Sequence, residues 1–168
     1  MGVDACLINS MKRIISERMT AQIEGDFVVF LIGMRVNKPW KIHKWLPASI
    51  AMFRMIKELE RLPSEETGFL GHNGPTTGLT VQYWRSFDHL EAYAKSRDRA
   101  HFPAWMAFNK RMKANRNDLG IWHETYLVKS GQYETLYAGM PAFGLGRASA
   151  LVPAEGAKAT ARSRVMSE

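Results

Sequence analysis

The chain has a single cysteine, Cys6. An intrachain disulfide and a cysteine-based zinc site are therefore both excluded. It also has no long apolar run: the longest covers only residues 27–34, whereas a bilayer-crossing helix needs roughly 18 to 20 such residues. The N-terminus lacks the basic region, apolar region and small-residue cleavage site of a signal peptide. Together with the lone thiol, this leads us to expect a cytoplasmic protein. No helix-turn-helix, zinc finger or aromatic RNA-binding signature is present. No carboxylate cluster has metal-ligand spacing, and no Ser-His-Asp set is visible. The dipeptide His123-Glu124 lacks the helix and the second histidine of a zincin.

What remains is a chain of 168 residues, 46% apolar, with 5 Trp, 5 Tyr and 8 Phe. That is enough for one domain with a real core and too little for two comfortable ones. The formal net charge is +7, but the basic residues are dispersed: Lys12, Arg13 and Arg18; Lys38, Lys41 and Lys44; Lys95, Arg97 and Arg99; Lys110, Arg111, Lys113 and Arg116. We read them as solvated helix faces and expect no specific nucleic-acid partner.

The most informative segment is residues 26–47, DFVVFLIGMRVNKPWKIHKWLP. In an extended chain Phe27, Val29, Leu31 and Gly33 lie on one face and Val28, Phe30, Ile32 and Met34 on the other, with no polar alternation before Arg35. A strand written this way needs cover on both sides. Helices can supply one cover, and a second copy of the protein or a ligand is expected to supply the other.

Along the chain, Met11, Ile14, Ile15, Met19 and Ile23 predict an amphipathic helix over residues 9–23. A strand follows over 27–36, then a turn at Asn37-Lys38-Pro39-Trp40. Ile50, Phe53, Ile56 and Leu59 predict a helix over 47–61. An extended piece at 68–72 and a Gly/Pro/Thr loop lead to a strand at 79–85, paired as a hairpin. Ser86 is a good N-cap with Asp88 in the first turn. The helix it starts is expected to break near Pro103, with a second helix over 103–113. A last strand is predicted over 120–129. From Met140 the composition is that of a wrapping or flexible tail, and Gly144-Leu145-Gly146 lacks the strand-turn-helix setting of a phosphate loop.

Three segments result: an N-terminal helical extension (1–25), a central domain (26–139) and a C-terminal tail (140–168). The order strand, helix, strand, strand, helix, strand predicts an α+β, ferredoxin-like split βαβ fold. Its four-stranded antiparallel sheet carries helices on one face only. Sheet-to-sheet packing of two copies would then give a homodimeric α/β barrel.

Residues 24–47, VQYWRSFDHLEAYAKSRDRAHFPAWMAFN and GIWHETYLV resemble a monooxygenase-like family formerly of unknown function, within the dimeric α/β-barrel superfamily. The resemblance covers residues 17–146. That superfamily holds antibiotic-biosynthesis monooxygenases, haem-degrading monooxygenases and, more distantly, haem-containing aldoxime dehydratases. It implies a small-molecule cavity between sheet and helices and oxidative chemistry on an apolar or aromatic substrate. Some relatives use no cofactor, the substrate itself giving electrons to dioxygen; others bind haem through a histidine of the second helix.

By that resemblance His101 is the carried-over position, as proton acceptor in the cofactor-free branch or as iron ligand in the haem branch. Its plain alternative is a cap at a helix C-terminus before Pro103. Trp84 and Trp122 would hold the substrate ring, or simply pack the core. Arg35 or Arg85 would steady developing negative charge. His43, with Trp40 and Trp45, forms a lid or an interface anchor. Asn109 could orient a substrate oxygen or simply be exposed. His72, in a Gly-bounded turn, reads as a surface residue. In the last strand Trp122, Glu124 and Tyr126 should share one face and His123 the other. The leading expectation is a monooxygenase that requires no cofactor, with haem b at His101 as the alternative. Behind it stand an aldoxime dehydratase-like lyase and a non-catalytic dimeric ligand-binding module.

Overall fold

A computed structural model describes residues 13–76, 78–97 and 117–166, together with residues 102 and 106. The six strands among them are β1 (Met19–Gln22), β2 (Phe27–Val36), β3 (Phe69–Thr76), β4 (Leu79–Trp84), β5 (Leu119–Val128) and β6 (Ala150–Pro153). The doubly apolar β2 lies inside a four-stranded sheet of order β3-β4-β2-β5, antiparallel throughout. This is the ferredoxin-like order: the first strand of the split unit sits between the third and the fourth.

Between β2 and β3 run helices α1 (Ile42–Leu59) and the single-turn α2 (Ser64–Thr67). The first begins before its predicted start at 47 and carries Pro47 inside. The preceding elbow accounts for the early start. Asp118, just before β5, accepts from Lys38 Nζ at 2.8 Å and Lys41 Nζ at 3.0 Å, while its carbonyl accepts the Asn37 N–H at 3.0 Å. The two ammonium groups hold the Asp118 carboxyl below its ordinary value of 3.8. A depressed carboxyl stabilises the fold above that value and loses its effect as the pH falls through the folded one. Asp118→Asn is therefore expected to lower the denaturation midpoint at pH 7. The gap to the unmodified protein should close as both are titrated below about pH 3.8, which parallel urea curves would check.

Helix α3 (Phe87–Lys95) starts as predicted: Ser86 Oγ accepts the His89 N–H at 3.3 Å. The helix ends at Lys95 with Ser96 extended, ahead of the break expected near Pro103, and the second helix falls outside the described residues. Gly68 ends α2 with φ of +68°, and a Cβ there would lie 2.3 Å from His89 Cγ. Only glycine meets both demands. On the helix side of the sheet Val28, Leu59, Phe69, Trp84, Leu90 and Tyr93 form one buried cluster.

The other face departs from expectation. Residues 13–18 are not helical and Met19–Gln22 is a strand, paired antiparallel with β6 from Met19↔Pro153 to Gln22↔Ala150. The Ala21 N–H donates to Thr135 Oγ1 at 2.8 Å, and Met19 and Tyr137 exchange two backbone bonds of 2.8 Å. The three-to-four spacing of the apolar residues in 9–23 is a local signal, and partners more than a hundred positions away outweigh it.

The tail wraps. It carries α4 (Leu145–Ala148), a 3₁₀ turn (Gly156–Lys158) and α5 (Ala161–Met166). Ala21, Ile23, Phe27, Tyr137 and Leu145 bury one another against Val29, Leu70, Tyr83 and Leu151. The chain's own terminal segments thus cover part of the face for which a second copy was expected as cover. The strip with Trp122 (40% exposed) and Tyr126 (52%) is left open.

Candidate functional site

Register fixes what the helix side of the sheet offers. Trp84 pairs with Val28; two residues on, His72, Gln82, Phe30 and Thr125 stand abreast; beyond them come Thr80, Ile32 and His123. Leu59, Leu90 and Tyr93 close the floor at the Trp84 end. Towards β5 it opens, and His123 is exposed with its ring 5.7 Å from that of Phe30. The middle of this floor is polar and yet buried: Thr80 is 2% exposed, Gln82 1% and His72 7%.

Two hydrogen bonds orient the buried pair. The indole Nε1–H of Trp84 donates at 3.0 Å to the Gln82 side chain. Because that indole nitrogen only donates, the amide atom facing it is the oxygen, and Gln82 Nε2 points elsewhere as a donor. On the neighbouring strand His72 Nε2 lies 2.9 Å from Glu60 Oε1, which Arg147 Nη2 also approaches at 3.5 Å. A carboxylate accepts, so Nε2 carries a proton, and in the neutral form of the ring the lone pair is on Nδ1. Gln82 Nε2 and His72 Nδ1 are sealed from solvent and have no protein partner.

A buried polar atom left unpaired costs roughly 1–3 kcal/mol. Here a donor and an acceptor on directly paired residues share that situation. A group that accepts from the amide and donates to the imidazole, such as an alcohol, enol or phenol hydroxyl, has the chemistry to match both. Glu60 behind His72 supplies the third member of the usual arrangement, a base held in tautomer and orientation by a carboxylate.

The sequence-derived residues are distributed differently. Trp84 is completely buried and acts on the site by fixing Gln82. Trp122 pairs with Gly33 on the opposite face and lies over it, so that a Cβ on Gly33 would meet its Nε1 at 2.5 Å. The two tryptophans therefore cannot hold one ring between them. Arg35 is exposed on the Trp122 face, opposite Gly120. Arg85 donates to the Glu24 carbonyl at 2.7 Å. Neither arginine contributes to the His72–Gln82 pair. Glu124 shares the Trp122 face and accepts from Tyr126 at 2.6 Å, with His123 on the other side. His43 and Trp40 are exposed, and Trp45 donates to the Pro39 carbonyl at 2.9 Å.

His101 and Asn109 lie outside the described residues. His72 and His89 each have a ring nitrogen engaged, by Glu60 and by Ser86 respectively, in packed surroundings. Among the described residues, no three His, Cys, Asp or Glu side chains gather as a metal site.

His72 and Gln82 were missed because the Gly-bounded turn reads as surface. A usable signal existed: Thr80, Gln82 and Trp84 alternate with period two, which places two polar residues beside the largest apolar one.

The model of the family described as Monooxygenase af470-like matches residues 27–145. Monooxygenase af470 of Aspergillus fumigatus is 24% identical over 158 residues, covering 82% of this chain and 56% of its own. The chain thus spans about half the length of that curated relative. A crystal structure of aldoxime dehydratase superposes with a TM-score of 0.50 at 19% identity, over 89% of this chain and 43% of the other. That likeness supports the ferredoxin-like fold. No described helix is long and apolar enough to cross a membrane.

Proposed function

The chain belongs to the monooxygenase af470-like family, and from that premise we propose that it is a monooxygenase-like oxidoreductase acting on an apolar or aromatic substrate with an acidic hydroxyl or enolisable group. The observation that carries this is the buried pair of His72 Nδ1 and Gln82 Nε2, each without a protein partner. Both atoms are sealed in this conformation, so the substrate hydroxyl reaches them by displacing the side chains around them, and Phe30, Ile32 and Met34 offer the apolar surface beside it.

His72 takes the hydroxyl proton, and Gln82 stays hydrogen-bonded to the oxygen as it becomes anionic. The electron-rich anion passes one electron to dioxygen, and radical and superoxide recombine at carbon. Cleavage of the O–O bond leaves one oxygen on the substrate as a carbonyl. The other departs as water with two substrate hydrogens, so SH2 + O2 gives SO + H2O without an external reductant. The working form in this proposal is a homodimer that covers the strip around Trp122 and Tyr126.

An oxygen electrode tests the reaction. Purified protein with enolic or phenolic aromatic substrates is expected to consume dioxygen without added metal or flavin and to incorporate one atom of labelled oxygen per product. No uptake across a broad panel would rule the oxygenase out in favour of a binding module. A Soret band in the purified protein would move it to the haem branch. Sizing tests the dimer separately, since a 19.1 kDa species at micromolar concentration removes that part.

A further inference from the structure

Helix α1 has two apolar sides, and only one of them is used. Its buried residues are Ile56 and Leu59, both near the C-terminal end. A second line, Ile42, Leu46, Ile50 and Phe53, runs along the helix at spacings of four, four and three. These side chains are 54%, 41%, 43% and 51% exposed. Trp40, just ahead of the helix, is 73% exposed. The terminal segments that cover the opposite face of the sheet leave this line bare.

The charge along it is basic as far as Glu58, which accepts from the Tyr93 hydroxyl at 3.1 Å. Residues 37–57 contain Lys38, Lys41, Lys44, Arg54 and Lys57 and no Asp or Glu. Lys38 and Lys41 are matched by Asp118, whereas Arg54 and Lys57 are exposed, and Lys57 Nζ stands 5.7 Å from the Phe53 ring. A bare apolar line edged by cations, with an aromatic at its head, is the pattern of a helix that lies in a membrane interface.

We propose that α1 and Trp40 dock the protein on an anionic lipid surface, with the apolar line entering the headgroup boundary and Arg54 and Lys57 among the lipid phosphates. A second copy suits the same face less well, because it would bring like charges together in a chain that already carries +7. The inference is independent of the oxygenase proposal, since it concerns the outer flank of α1 and none of the residues of the buried pair.

Co-sedimentation of the full chain with vesicles tests it, using phosphatidylcholine alone and phosphatidylcholine mixed with phosphatidylglycerol. The protein is expected to pellet with the mixed vesicles and to be released by salt, as screened charge requires. Ile50→Asp/Phe53→Asp is expected to weaken partitioning at least about tenfold with an unchanged circular dichroism spectrum. Trp40→Ser, outside the helix, should weaken it without any folding risk to α1. Equal binding to both vesicle types, or no binding, overturns the proposal. So does a wild-type assembly that falls apart in the Ile50→Asp/Phe53→Asp variant while vesicle binding is absent, which would make this face an interface between copies.

Discussion

Trp84→Ala is expected to lower the unfolding free energy by about 3–5 kcal/mol, a large share of what a single domain possesses. The side chain has no exposed surface, and its ring sits 5.1 Å from Phe69 and 5.6 Å from Tyr93 between sheet and helices. Among the residues packed on this cluster only Met55 is flexible, and one thioether chain is too small to refill the volume of an indole. Trp122→Ala should cost clearly less, because that ring is 40% exposed on the other face. Urea denaturation of the two variants side by side makes the comparison. Equal losses would contradict the assignment of the two tryptophans to opposite faces. Trp84→Phe isolates the indole hydrogen bond: most of the apolar contact stays, but the Gln82 oxygen loses its donor, at roughly 1–3 kcal/mol.

His72→Ala is expected to reduce kcat by about two to four orders of magnitude, the usual contribution of a positioned base. KM should move far less, because the apolar body of the substrate still has its floor. Glu60→Gln should fall between the two, since the amide can hold the ring but balances the imidazolium poorly. Gln82→Leu should lower turnover and also some stability: it removes a buried donor that has no partner, but it takes the acceptor away from the buried Trp84 indole N–H, a loss of roughly 1–3 kcal/mol. A fully active His72→Ala enzyme would end the assignment of the base. Unchanged turnover in Gln82→Leu would remove the amide from the site.

Much of the architecture was legible because it rests on local periodicity. The uninterrupted run in 27–34 could only be a strand covered on both faces, and it is the strand flanked by β4 and β5. Ser86 announced the start of α3 through its own side chain. The period of two in 121–126 puts His123 and Glu124 on opposite faces, as the register does. The N-terminal strand was not legible. Its residues carry a helical spacing, and what makes them a strand is Ala150–Pro153 and Thr135 at the far end of the chain.

The site behaved in the same way. Residue type suggested Trp84 and Trp122 as a pair, but register puts them back to back. His72 looked like a turn residue until Glu60 and Gln82 came to lie on either side of it.

By itself, the sequence determined the order of the central strands and helices, the faces of each strand, and the need for two covers over β2, because these follow from side-chain alternation along a few residues. Only the tertiary structure decided that the chain's own terminal segments supply much of the second cover, and that a histidine ring nitrogen and a glutamine amide nitrogen on adjacent strands are buried without a protein partner. Both depend on pairings between distant segments, which local spacing does not encode.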